Sequence, residues 1–236
     1  MMAEIVIDKY ECPKNLNFYV LKYGPSFISE IYYYLSVSHI LEHFQGNCIN
    51  VLSLGCGFSP DYFAISKYIS DNKLTIKFNS CGWDISTIWQ STRLAKPNLV
   101  YQTVDLLKPF TFENCHIIML NKVFSTICRY NNHSSFVKNL TDAIENTMFQ
   151  GAGLIFNDVN NFKTGRDFFD NTVSPLFDST NTRRYYTDDP AFKGDGTWYQ
   201  IPQNQMIYPT DYAPDIAPLD FIAQYVFFEY WIKDDN

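Results

Sequence analysis

A chain of 236 residues is longer than one average domain and shorter than two, so a single large domain with appendages is expected. Its composition, 46% hydrophobic, 17% aromatic and 18% charged, excludes a disordered polymer, because that much apolar surface collapses in water. The net charge of −7, from 18 Lys and Arg against 25 Asp and Glu, repels a phosphate backbone and argues against a dedicated nucleic-acid binder.

The N-terminus, Met1-Met2-Ala3-Glu4, lacks the basic and then apolar segments of a secretory signal. From Tyr23 to Phe44 the positions Ile28, Ile31, Leu35, Ile40, Leu41 and Phe44 recur at mostly helical spacing, and Gly24-Pro25 reads as the helix start. Residues 1–48 are therefore expected to form a helical cap on an α/β domain spanning 49–236. Asn50 to Leu54 is short and apolar and runs into Gly55-Cys56-Gly57, the pattern of a buried strand entering a loop. Ser59-Pro60-Asp61 then supplies an N-cap candidate, a first-turn proline and a first-turn acid for a helix reaching about Ser70.

The alternation repeats, with strands at Leu74–Trp83, Leu99–Val104, Ile117–Leu120 and Leu154–Phe156. Between them fall a short helix after Ser86 and a helix from Ser134 to Phe149, whose stripe is Phe136, Val137, Leu140, Ile144 and Met148. A further helix is expected from Asp167 to Leu176, and Phe221 to Ile232 reads as a last, long strand that is too interrupted by Gln224 and Glu229 to span a bilayer. Residues 181–218 show no sustained period and are expected to be a surface insertion or a lid. Strands alternating with helices imply a doubly wound, mostly parallel sheet of seven strands with helices on both faces.

The six cysteines, Cys12, Cys48, Cys56, Cys81, Cys115 and Cys128, form no C-x-x-C pair and read as reduced core thiols of a cytoplasmic protein. His39 and His43 lie one helical turn apart, but with no third ligand nearby they are expected to be surface or packing residues, and no metal is expected.

Gly55-Cys56-Gly57 lies between a buried strand and a helix. Glycines there allow a tight turn and a close approach to a ligand, and the helix N-terminus offers N–H groups to a polar group. Asp84 ends the second strand, where a carboxylate accepts both hydroxyls of a ribose, and Asp105 ends the third. Three polar markers at successive strand ends line one crevice. A dinucleotide loop requires a third glycine where Pro60 stands, which makes NAD or FAD the weaker choice.

At this point the chain resembles the class I S-adenosylmethionine-dependent methyltransferases. Val51-Leu52-Ser53-Leu54-Gly55-Cys56-Gly57-Phe58-Ser59 looks like their first motif, Gly82-Trp83-Asp84-Ile85-Ser86 like their second, and Val104-Asp105-Leu106 like their third. The resemblance covers about residues 50 to 160. It implies that Gly55 and Gly57, with Cys56 between them, lie under the methionine part and ribose of S-adenosylmethionine. It further implies that Asp84 holds the ribose hydroxyls, Ile85 packs on adenine and Asp105 with Leu106 meets the adenine edge. Asn121, followed by Lys122, would lie near the sulfonium or the substrate. Ser53 stands where the family usually has an acid, and Ser59 where it has a third glycine.

The fourth strand contains no Asn-Pro-Pro-Tyr, which disfavours an N6-adenine methyltransferase. The expected substrate is a small molecule or a protein side chain, with RNA kept open. A catalytically inactive methyltransferase-like binding module is the alternative, favoured by Ser53 and Ser59. Arg183 and Arg184 are candidates for holding an anionic substrate, and Tyr23 is the candidate lid residue beside the Gly24-Pro25 turn. The Tyr32-Tyr33-Tyr34 run spans several sides of a helix, so at least one ring must face away from the core.

Overall fold

Along each central strand the side chains alternate between two separate apolar cores. Val51, Ile117, Met119, Ile155, Tyr225 and Phe227 face one core, and Leu52, Leu54, Ile118, Leu120, Leu154, Phe156, Val226 and Phe228 face the other. Period-two alternation with both phases apolar requires cover on both faces, and this arrangement is a doubly wound sheet. The computed structural model describes residues 13–93, 95–161, 165–187, 196–201, 205–208 and 225–232.

The strands are β1 (Cys48–Leu54), β2 (Lys77–Asp84), β3 (Leu99–Thr103), β4 (Ile117–Asn121), β5 (Gly153–Val159), β6 (Thr182–Thr187), β7 (Thr197–Tyr199) and β8 (Tyr225–Trp231). They form one sheet in the order β3-β2-β1-β4-β5-β8-β6-β7. β8 pairs antiparallel with β5 and β6, and the other described pairs are parallel. The expected mostly parallel α/β sheet is present, with eight strands instead of seven. The stretch read as irregular holds β6 and β7. Its Thr-Arg-Arg-Tyr-Tyr-Thr pattern hides a strand because each arginine has its own acid: Arg184 pairs with the partly buried Asp170 at 2.9 Å, and Arg183 lies 3.7 Å from the buried Glu229. Residues 188–195, 202–204 and 209–218 of this stretch, residues 221–224 of the last strand and Cys12 lie outside the described residues.

The helices are α1 (Pro13–Ser38), α2 (Pro60–Asp71), α3 (Phe124–Arg129), α4 (His133–Thr147) and α5 (Arg166–Val173). α1 and α2 cover the first face; α3, α4 and α5 cover the second. α1 begins ten residues before the expected start and takes Pro25 into its interior. Proline has no N–H, so this turn lacks one backbone bond, and the Ser29 hydroxyl donates to the Pro25 carbonyl at 2.6 Å. The tyrosine run divides as its geometry requires. Tyr34 is buried, stacks on Phe227 at 4.1 Å and donates to Glu229, whereas Tyr32 and Tyr33 reach Asp71 and the Gln205 carbonyl.

Among the described residues no helix is long and apolar enough to cross a membrane, and no cluster of three metal-ligating side chains is present. Of the described cysteines only Cys56 is buried, while Cys48 is exposed, so Cys48 is not a core thiol. His39 lies 3.0 Å from Glu42 within a short 3-10 turn, Ile40–Phe44.

Candidate functional site

The sheet order changes direction between β1 and β4, and the carboxyl ends of the strands open there into a crevice of about 410 Å³. Ser53, Gly55, Cys56, Gly57, Asp84, Ile85, Asp105, Leu106, Asn121 and Lys122 all line it. Tyr23, Arg183 and Arg184 are not among its lining residues. Both arginines belong to β6, with the acid partners described above. Tyr23 stacks between Tyr19 and Phe27, with ring centroids 4.7 and 6.2 Å away, and it is these two neighbours that line the crevice.

The glycine loop is wound tightly. Gly55 and Gly57 have φ of 62° and 53°, in the left-handed region. A Cβ on Gly55 would lie 2.5 Å from Val123 Cγ2, so the close approach of the segment after β4 depends on the missing side chain. Ser59 is also left-handed and makes no side-chain cap, contrary to its expected role at the start of α2.

The loop's N–H groups are largely spent inside the protein. Cys56 N–H donates to the Trp83 carbonyl, Gly57 N–H to Asp84 Oδ2 at 2.9 Å, and Ser59 N–H to the Cys56 carbonyl. A pyrophosphate cradle needs those donors, and here the loop has committed them.

Asp84 is fixed from two sides. Its Oδ2 accepts from Gly57 N–H and its Oδ1 from Ser86 N–H at 2.8 Å. A carboxylate has roughly four lone-pair sites, so each oxygen keeps capacity for another donor. Asp105 accepts from Leu107 N–H at 3.0 Å. Around these acids the rim is apolar: Ile85 is 62% exposed, and Leu107 and Tyr130 are exposed beside it.

The aromatic wall is made by residues the motifs did not flag. Tyr19 and Phe27 come from α1, Trp89 from a 3-10 turn after β2, and Tyr130 from the end of α3. Arg93 was also missed. Its Nε donates to the Gly57 carbonyl at 2.9 Å, and its guanidinium lies 4.3 Å over the Tyr101 ring, clamping the loop from outside. A lone arginine outside any local motif gives no sequence signal. The Cys56 thiol, pushed up to about 12 by burial, is a poor nucleophile at neutral pH.

Behind Asn121 and Lys122 lies a buried polar group. Lys122 Nζ is 2.9 Å from Glu30 Oε2 of α1 and 4.6 Å from the centre of the Tyr225 ring. Glu30 is fully buried; desolvation raises its pKa, and Lys122, Asn157 and Ser26 partly offset that. Asn157 donates to Asn121 Oδ1 across the β4–β5 register. Asp158, also buried, accepts from the N–H groups of Ser125 and Val159.

No protein-family description and no curated protein matches this chain. Among solved structures it is similar to the N-methyltransferase NodS from Bradyrhizobium japonicum WM9, with 12% identity and a TM-score of 0.46 over 88% of this chain and 97% of that one. The same protein in complex with S-adenosyl-L-homocysteine gives 11% identity and a TM-score of 0.47 over 87% and 86%. A TehB-like SAM-dependent methyltransferase from Corynebacterium glutamicum gives 10% identity and a TM-score of 0.47 over 85% and 94%.

Proposed function

We propose that this chain is an S-adenosylmethionine-dependent methyltransferase acting on a small molecule or a protein side chain. The observation that carries the reading is Asp84: a carboxylate at the end of β2, beside the switch point, fixed by two backbone N–H groups and retaining lone pairs for two hydroxyls. Pro60, standing where a dinucleotide loop needs its third glycine, separates this reading from a dinucleotide one. In it, Asp84 holds the ribose, Ile85 and Leu106 enclose the adenine, Asp105 and the Leu106 backbone meet its edge, and Gly55 and Gly57 pass beneath the thioether. When bound, S-adenosylmethionine supplies an electrophilic methyl group on sulfur.

The chain's own contribution is alignment and exclusion of water. Displacement at a methyl carbon needs the nucleophile in line and desolvated, and the gain from positioning is large. Tyr19, Phe27, Trp89 and Tyr130 provide the apolar wall, and Asn121 and Lys122 the polar end of the crevice.

Titration calorimetry with S-adenosylhomocysteine and NAD tests the reading, with binding of the first and not the second expected. Asp84→Ala is expected to weaken S-adenosylhomocysteine by about 1.5–3 kcal/mol for each charge-assisted bond lost. The same change frees the Gly57 and Ser86 N–H groups, so a smaller stability loss, about 1–2 kcal/mol, is expected in thermal melts of the free protein. Normal affinity in the variant, or preferential NAD binding by the wild type, refutes the assignment.

A further inference from the structure

Ser53 forms part of the crevice floor at the end of β1, and behind it lies Asp61 in the first turn of α2. Asp61 is fully buried. The Ser53 hydroxyl and the backbone of its own helix turn approach its carboxylate, yet among the described residues neither oxygen has a partner in good hydrogen-bond geometry. A buried carboxylate left so poorly satisfied is costly, and proteins retain such a group where something else requires it.

The groups around Asp61 supply no cation. The Cys56 thiol from the glycine loop and the Tyr101 hydroxyl from β3 are each pushed up to about 12 by burial, so both are neutral. Ser59 and Tyr101 add hydroxyl oxygens, and Ser59 interacts with both the Tyr101 hydroxyl and the Cys56 thiol. Arg93 lies over the Tyr101 ring and directs its N–H groups to Gly57 and Cys56. α1 packs against α2, but no charged group of α1 is among those acting on Asp61. The site is thus a buried carboxylate behind Ser53, a residue that lines the crevice, and no cation is among the groups acting on it.

We infer that Asp61 orients Ser53 and draws the ammonium of the cofactor's amino-acid end to the floor of the crevice, replacing the acid that the β1 strand lacks at position 53. The inference rests on the S-adenosylmethionine reading above. Asp61 is a positioning residue, acting through Ser53. Burial raises it to about 6, so it is ionised at neutral pH and loses its charge on mild acidification.

The test compares S-adenosylhomocysteine with 5′-methylthioadenosine, which keeps the adenosine and thioether but has no ammonium. Calorimetry on wild type and Asp61→Asn is expected to show about a tenfold or greater loss for S-adenosylhomocysteine and no change for 5′-methylthioadenosine. In the wild type, the preference for S-adenosylhomocysteine is expected to fall as pH drops through about 6; in Asp61→Asn it stays flat. Should Asp61→Asn fail to fold, Ser53→Ala carries the same comparison. Equal weakening of both ligands makes Asp61 merely structural and overturns the inference, as does unchanged binding of both. A wild type that binds neither ligand overturns the cofactor reading instead.

Discussion

Replacing Lys122 with methionine is expected to destabilise the protein by about 3–5 kcal/mol at neutral pH, because the buried Glu30, with no cation beside it, must either carry an unpaired charge or take up a proton. Lys122 is 10% exposed and Glu30 wholly enclosed, so solvent screening does little for the pair. The sign of the pH dependence follows from Glu30. Its folded pKa is already raised above 4.5 by desolvation, and loss of Lys122 removes the largest opposing effect. The folded variant then binds a proton that the unfolded chain has released, so its stability falls as pH rises above about 4.5 and recovers on acidification toward that value. The double variant Glu30→Gln, Lys122→Met is expected to regain part of the loss, since the pair is gone while the buried Asp158, whose charge Lys122 also favours, stays without it. Urea unfolding of the wild type and both variants checks this. A loss under about 1 kcal/mol in Lys122→Met, or no recovery in the double variant, shows that the pair is solvated in solution.

The central sheet was legible because β1, β4 and β5 are short apolar runs punctuated by turn residues, and the crevice was legible because glycines and acids stand at three strand ends in succession. What escaped the sequence was held by long-range pairing. β6 reads as a charged loop until Asp170 and Glu229 meet its arginines. α3 is only six residues long, below the span at which a helical period declares itself. The start of α1 was misplaced because proline favours the first turn statistically, whereas here Ser29 and the surrounding packing support Pro25 in the interior.

The acids show the same limit more sharply. Asp61 read only as a first-turn acid for α2, yet it shares a buried stripe with Ile65 and Tyr68 at spacings of four and three, a pattern visible in the sequence. Glu30 gave no such sign, because its partner lies beyond the fourth strand. Tyr19 and Phe27 rather than Tyr23 reach the crevice, a distinction between residues one turn apart on one helix stripe that periodicity does not resolve.

Gly55→Ala and Gly57→Ala are expected to separate widely even though both glycines belong to one loop. Each has a positive φ, so alanine at either position meets the left-handed backbone penalty of about 1–2 kcal/mol. At Gly57 that is nearly the whole cost, because the nearest atoms, on Trp89, would lie 3.5 Å from the new Cβ at ordinary contact distance. At Gly55 the Cβ would stand 2.5 Å from Val123 Cγ2 and 3.0 Å from Val123 Cβ, so either the loop or the segment after β4 must move. Overpacking of this kind adds about 1–3 kcal/mol. The movement also falls inside the crevice, which both Gly55 and Val123 line, so ligand affinity should drop along with stability. Gly55→Ala combined with Val123→Ala removes the collision but not the backbone strain, and is expected to recover the steric share only. Thermal melts of the four proteins, each with and without S-adenosylhomocysteine, measure both quantities. Equal destabilisation by the two glycine substitutions would mean that the loop does not press against Val123 in solution.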